Sequence, residues 1–161
     1  MRYDRDRLSI VSIGDGKISD NPNEVLITYS LGSCIGVTIY DPILKIGGLF
    51  HAMLPISNND LEKSKKFPFN FVDTAVVLLL QFFYDRGSIK KNLICKVAGG
   101  GTPLEDHGVF RIGERNYAVF KKVVWKNGLL VKGELVGGKS SKTMMLEMES
   151  GRTILKIYGK T

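Results

Sequence analysis

Apolar and polar residues alternate through Leu8-Ser9-Ile10-Val11-Ser12-Ile13, the period of a strand with one face in a core. Val25 to Tyr29 is a second candidate strand. Ile35 to Tyr40 is rich in β-branched residues and stops at Asp41-Pro42, a turn signal. Gly47 to Leu54, which ends before Pro55, reads as the return strand of a hairpin. The polar, lysine-bearing stretch Ser57 to Pro68 is expected to be a surface loop.

The period then changes. Val72, Ala75, Val76, Leu79 and Phe83 recur at spacings of three and four, which makes one apolar stripe on a helix over about Asn70 to Asp85. Asn70 stands where an N-cap would, and Gly87 lies just past the end. Leu93 to Ala98 is apolar enough for a central strand, and Gly99-Gly100-Gly101-Thr102-Pro103 breaks it. A second helix is expected over Glu114 to Lys126, with Tyr117, Phe120 and Val124 on one face and Asn127-Gly128 as the stop. The tail returns to strands at Leu129 to Val136, about Thr143 to Glu149, and Thr153 to Tyr158, the last two joined at Ser150-Gly151-Arg152. Strands come first, then helices mixed with further strands. That order predicts an α+β protein, a layered α/β sandwich of mixed β-sheets flanked by helices, and not a doubly wound parallel sheet.

Composition narrows the class. At 161 residues with 43% hydrophobic content, one domain spanning 1–161 with one sizeable core is expected. The charged start Met1 to Arg7 has no apolar run behind it, and Ala75 to Leu80 is far too short to span a bilayer, so a cytoplasmic protein without membrane insertion is expected. The net charge of +7 fits either plain solubility or attraction to an acidic partner. Its basic residues are dispersed, with no stripe interleaved with aromatics, which argues against nucleic-acid binding. Two cysteines and two histidines do not make a zinc-ligand spacing, so no metal is expected, and no cofactor.

The chemistry centres on Leu31-Gly32-Ser33-Cys34-Ile35-Gly36. A cysteine between glycines at the start of a strand can be accessible, with Gly32 and Ser33 as backbone support for an oxyanion received by N–H groups near Ser33 and Cys34. His51 follows 17 residues later. A hairpin turning near residue 43 puts 34 opposite 52, and a one-residue change of register covers His51. A neighbouring imidazole can take the thiol proton and leave the nucleophilic thiolate. The competing reading makes Cys34 a small buried hydrophobe and His51 a structural residue.

The wider pattern decides between them. Glu24 to Val37 with Gly32-Ser33-Cys34, then Tyr40-Asp41-Pro42, then Gly47-Gly48-Leu49-Phe50-His51-Ala52-Met53-Leu54-Pro55, resembles the chemoreceptor glutamine deamidase family CheD. Val97-Ala98-Gly99-Gly100-Gly101, Ile112-Gly113-Glu114-Arg115-Asn116 and Val136-Gly137-Gly138 fit the same family, so the resemblance runs from about residue 8 to 158. It implies a nucleophile at Cys34, a catalytic histidine at His51 and a third member at Thr28, six residues before the cysteine. It also implies a sandwich similar to the catalytic domain of the cytotoxic necrotizing factors. The implied substrates are glutamines of methyl-accepting chemotaxis receptors, and a CheC-type phosphatase is the implied partner. One departure is visible. The family usually carries Gly-Arg soon after the segment matching Gly137-Gly138, whereas this chain reads Lys139-Ser140-Ser141-Lys142-Thr143.

Two other readings of the site are an esterase acting on receptor methyl glutamates and a binding module that engages the phosphatase without catalysis. Two motifs are set aside. Gly133 to Ser140 has the spacing of a phosphate-binding loop, but only 21 residues follow and they read as a hairpin rather than a helix. Gly32 to Gly36 has the form of a nucleophile elbow, but strand-like Val37 to Tyr40 follows where a helix belongs. Cys95 reads as core, His107 as a solvated loop residue, and the triple glycine at Gly99 chiefly as a strand-to-loop break.

Overall fold

A computed structural model describes residues 3–58, 60–103 and 111–159, which leaves His107 outside the described residues. Along the chain run β1 (Leu8–Ile10), β2 (Gly16–Ser19), β3 (Val25–Leu31), β4 (Ile35–Asp41), β5 (Ile46–Ala52), α1 (Leu61–Lys66), α2 (Val72–Asp85), β6 (Ile94–Gly99), α3 (Ile112–Lys126), β7 (Val131–Val136), β8 (Ser141–Glu147) and β9 (Thr153–Tyr158). One sheet has the order β1-β3-β8-β9 and the other β2-β5-β4-β6-β7. Both are mixed, since β1 runs parallel to β3 and β6 parallel to β7 while the other pairs are antiparallel. The expected layered sandwich is what forms.

Strand parity builds the layers. Ile35, Val37 and Ile39 of β4 join Phe50 and Ala52 of β5 in a core with Ala75, Leu79 and Phe83 of α2 and Phe120 and Val124 of α3. The alternate residues Cys34, Tyr40 and Leu49 turn the other way and meet Leu26, Leu31, Met144 and Leu146 of the four-stranded sheet. Every position of β4 and β5 is buried, as expected of central strands covered on both faces. The result is three layers: sheet, sheet, helices.

Three expectations need correction, and one strand was not anticipated. Residues 57–68 are not all loop, because α1 forms there, started by Asp60, whose carboxylate accepts from the Lys63 N–H. It buries none of its residues, so there was no apolar period to detect. Asn70 is not the N-cap of α2: Phe71 holds that place with no side-chain bond, while the Asn70 carbonyl accepts from the Met53 and Leu54 N–H groups. The first strand stops at Ile10 rather than Ile13. Strand β2 lacks an apolar alternation and is formed by pairing with β5. In contrast, β7 passes through a turn straight into strand β8, as the rejection of a phosphate-binding loop required. Cys95 is fully buried among the helix-side core residues, as expected.

Register is the feature that positions the site. Asp41 pairs with Ile46, so the hairpin closes with the four residues 42–45. The buried Asp41 carboxylate holds that turn by accepting from the Ile43 and Leu44 N–H groups and from the Ser88 hydroxyl. The ladder therefore sets Ile35 opposite Ala52 and Gly36 opposite His51, one residue from the 34–52 pairing expected.

Candidate active site

That single residue decides which face His51 occupies. Opposed residues in an antiparallel pair share a face, and a slip of one reverses it. With Gly36 opposite His51, the imidazole lies on the same face as Cys34, between the two sheets. A 34–52 pairing would have sent it into the helix-side core. Cys34 and His51 become diagonal neighbours, a backbone spacing of roughly 7–8 Å that a ring side chain can span. Gly36 between them leaves room for Leu31 and Met144, whose side-chain atoms lie 2.7 and 3.0 Å from where a Cβ would be.

Thr28 reaches His51 from the opposite sheet. Its Oγ1 is 2.7 Å from His51 Nδ1 and also donates to the Val11 carbonyl at 2.7 Å. A threonine hydroxyl has one proton. With that proton given to Val11, Oγ1 can only accept from His51, so Nδ1 carries the hydrogen and Nε2 presents a lone pair. Nε2 is buried without a hydrogen-bond partner among the described residues. An unpaired buried acceptor is costly, and functional sites are where such groups are kept.

Burial governs the ionisation of both groups. It pushes the Cys34 thiol up, while a hydrogen bond from Cys34's own backbone N–H to the sulfur pulls the other way. It lowers His51 to about 4. At neutral pH the two groups therefore rest as thiol and neutral imidazole. Cys34 keeps 8% of its surface exposed, whereas Cys95 has none and is pushed up to about 12. Of the two cysteines, Cys34 is the one that retains any exposed surface.

His51 gives a stability prediction. Its ordinary value of 6.5 applies in the unfolded chain, so between pH 6.5 and about 4 the unfolded state holds a proton that the folded state does not. Folding stability falls as pH drops through that window, by about 3 kcal/mol for this group. His51→Asn, whose amide can still donate to Thr28, is expected to remove that part of the pH dependence. Denaturant unfolding of both proteins from pH 7 to pH 4 measures it; parallel curves would refute the assignment.

Beside His51 and Thr28 lies an open groove of about 340 Å³, also lined by Val11, Ser12, Ile13 and Ser30. Ser30 has a positive φ of 61°, and the β3–β8 ladder is interrupted between Thr28 and Leu31. This bulge turns Tyr29 and Ser30 to solvent at the groove's edge.

The Cys34 loop is fastened by residues far along the chain. Gly100 N–H donates to the Cys34 carbonyl and Gly101 N–H to that of Gly32, both at 2.8 Å. Between them, Asn116 Nδ2 donates to the Ser33 carbonyl at 2.9 Å. The triple glycine thus does more than end β6. It holds the cysteine loop, and the close approach of Gly113, where a Cβ would lie 2.0 Å from the Gly101 carbonyl, seats α3 on it. Sequence reasoning missed Asn116. The signal was a polar residue at 116 on the stripe that continues through Phe120 and Val124.

The segment lacking the family arginine carries a buried cation of its own. Lys142 Nζ donates to the carbonyls of Gly137 and Ser140 at 3.1 and 3.4 Å, and burial lowers its ammonium. The turn it braces is hung on the triple glycine, with Gly137 N–H on Gly99 O and Thr102 N–H on Gly138 O.

Known proteins can now be set beside this geometry. The family described as CheD chemotactic sensory transduction matches residues 53–157. A protein of Syntrophus aciditrophicus (strain SB) named as a probable chemoreceptor glutamine deamidase, CheD 1, is 46% identical over 150 residues, covering 93% of this chain and 94% of that one. One of Solibacter usitatus (strain Ellin6076) with the corresponding name is 44% identical over 151 residues, covering 94% and 89%. Among solved structures, Bacillus licheniformis hypothetical protein YfiH aligns at 16% identity with a TM-score of 0.49, covering 83% of this chain and 59% of that one. With a family match over most of the sequence and relatives this close across nearly their full length, the chain belongs to the CheD family.

Proposed function

We infer that this protein is a chemoreceptor glutamine deamidase, a hydrolase that converts glutamine side chains of methyl-accepting chemotaxis receptors to glutamate. The observation that carries the reading is the Thr28–His51 hydrogen bond, which leaves Nε2 as a free base on the face of Cys34.

Cys34 Sγ attacks the carboxamide carbon while His51 Nε2 takes the thiol proton. The carbonyl electron pair moves onto oxygen, which the N–H groups of Ser33 and Cys34 receive; one such donor is worth about 2.7–4 kcal/mol of barrier. Gly32 supports the loop through its carbonyl, which the Gly101 N–H holds, and has no side chain where Pro103 Cγ comes within 3.1 Å of a Cβ position. Collapse of the intermediate breaks the C–N bond, and the His51 proton goes to the nitrogen, which leaves as ammonia. The thioester on Cys34 is then attacked by water that His51 deprotonates. Its collapse releases the glutamate side chain and returns the proton to sulfur. Thr28 keeps the imidazole in one tautomer and orientation throughout.

Each turnover replaces a neutral amide by a carboxylate on a receptor helix. Like charges at neighbouring helical positions destabilise by about 0.2–0.5 kcal/mol per pair, so several sites can bias a two-state signalling bundle. The cytoplasm as the place of work and a CheC-type phosphatase as second partner are part of the same proposal and rest on the sequence resemblance. No helix among the described residues is long and apolar enough to cross a membrane.

The test is mass spectrometry of a receptor cytoplasmic fragment after incubation with the protein. A gain of about one mass unit at particular glutamines, with ammonia released, is expected. Release of methanol from methylated fragments with no change at glutamine would make the protein an esterase, and no change at either would make it a binding module.

A further inference from the structure

Three consecutive carbonyls, those of Gly32, Ser33 and Cys34, are held by donors from the β6 end and from α3. In a trans peptide unit the C=O and the following N–H point in opposite directions. Tying back the Gly32 carbonyl therefore turns the Ser33 N–H away from the clamp, and tying back the Ser33 carbonyl does the same for the Cys34 N–H. The Cys34 N–H lies against its own sulfur, beside the atom that would bond to the substrate carbon. Backbone N–H groups hold two of the three clamps, and a side chain holds the middle one.

That side chain is Asn116. It is fully buried on α3. Its Nδ2 also donates to the Met53 carbonyl at 3.1 Å, two residues beyond His51. Both neighbours are acceptors, so the amide nitrogen must be the atom that faces them. Its Oδ1 is buried with no partner among the described residues. The residue gives up half of its hydrogen-bonding capacity to place one NH₂ group between the nucleophile loop and the histidine strand.

We propose that Asn116 is a positioning residue for the oxyanion site: anchored on the Met53 carbonyl, it holds the Ser33 carbonyl and so aims the Cys34 N–H at the developing negative charge. The inference rests on the reading of Cys34 as the nucleophile of an amide hydrolase. It adds that a helix otherwise remote in sequence from the reacting residues controls the transition state.

The test separates attack that forms an oxyanion from attack that does not. Alkylation of Cys34 by iodoacetamide is a displacement at a saturated carbon and creates no oxyanion. Deamidation of a glutamine-bearing receptor fragment creates one. Asn116→Ala is expected to lower kcat for deamidation by about 10²-fold, with KM within about twofold and the rate of Cys34 alkylation unchanged. If Asn116→Ala does not fold, Asn116→Asp serves, since it keeps the volume and replaces the donor by an acceptor; the same division is expected. Equal loss of alkylation and deamidation would make Asn116 merely structural, and unchanged deamidation would make it irrelevant; either overturns the proposal while leaving Cys34 in its role. Undiminished deamidation by Cys34→Ala would instead remove the reading beneath it.

Discussion

Cys34→Ala is expected to lower ammonia release from receptor fragments by a factor on the order of 10⁴–10⁶ while leaving the protein folded. Loss of a nucleophile in a residue set that acts as a unit has effects of this size. The other thiol cannot substitute, because Cys95 is sealed on the helix side of the five-stranded sheet with its ionisation pushed to about 12. Stability should change by no more than about 1 kcal/mol, since Cys34 is a small residue of the inter-sheet core that retains some exposure. Cys95→Ala is the matched control, with activity retained and stability lowered by about 1–2 kcal/mol through the cavity it leaves. Ammonia assays and denaturant melts on the two variants decide the matter. A Cys34→Ala protein that still deamidates would refute the mechanism.

Gly99→Ala is expected to be severely damaging for a single added methyl group. Gly99 has φ +101°, which an alanine resists, and its Cβ would sit 2.0 Å from the Cys34 carbonyl oxygen. Backbone strain and overpacking each cost about 1–3 kcal/mol, so a loss of about 3 kcal/mol or more is expected. The clash is with backbone, which cannot swing aside as a side-chain tip can. Any folded fraction must move the Cys34 carbonyl off the Gly100 N–H, so activity falls further than stability does. Gly133→Ala is the comparison. Its Cβ would meet only the Lys96 side chain, at 3.5 Å or more, and no loss of activity is expected. Urea unfolding and deamidation rates on both variants test this; a stable, active Gly99→Ala would show that the cysteine loop is not clamped as described.

Elements that carry an apolar period were legible before any fold was known. The stripe from Val72 to Phe83 became α2 within two residues at its start, and Thr153 to Tyr158 became β9 without change. Elements without one were not. Helix α1 buries nothing, and β2 exists because β5 offers it a ladder. A polar cap at Asp60 was the only local mark of α1, and among so many polar residues it did not stand out.

The candidate site divides along the same line. Residue types and spacing, read with the family pattern, were enough to single out Cys34, His51 and Thr28 and the chemistry such groups perform. They could not say whether His51 faces Cys34. That depends on whether a turn closes with an even or an odd count of residues, which Asp41 settles through bonds to Ile43, Leu44 and Ser88. Nor could they find the proton on Nδ1, which follows from Val11 lying beside Thr28 in the sheet opposite His51, or the Asn116 amide, which arrives from a helix more than eighty residues on. Period and composition are local properties of a chain, written in each stretch by itself. Register, tautomer and the clamping of a loop are relations between stretches, and only their packing together creates them.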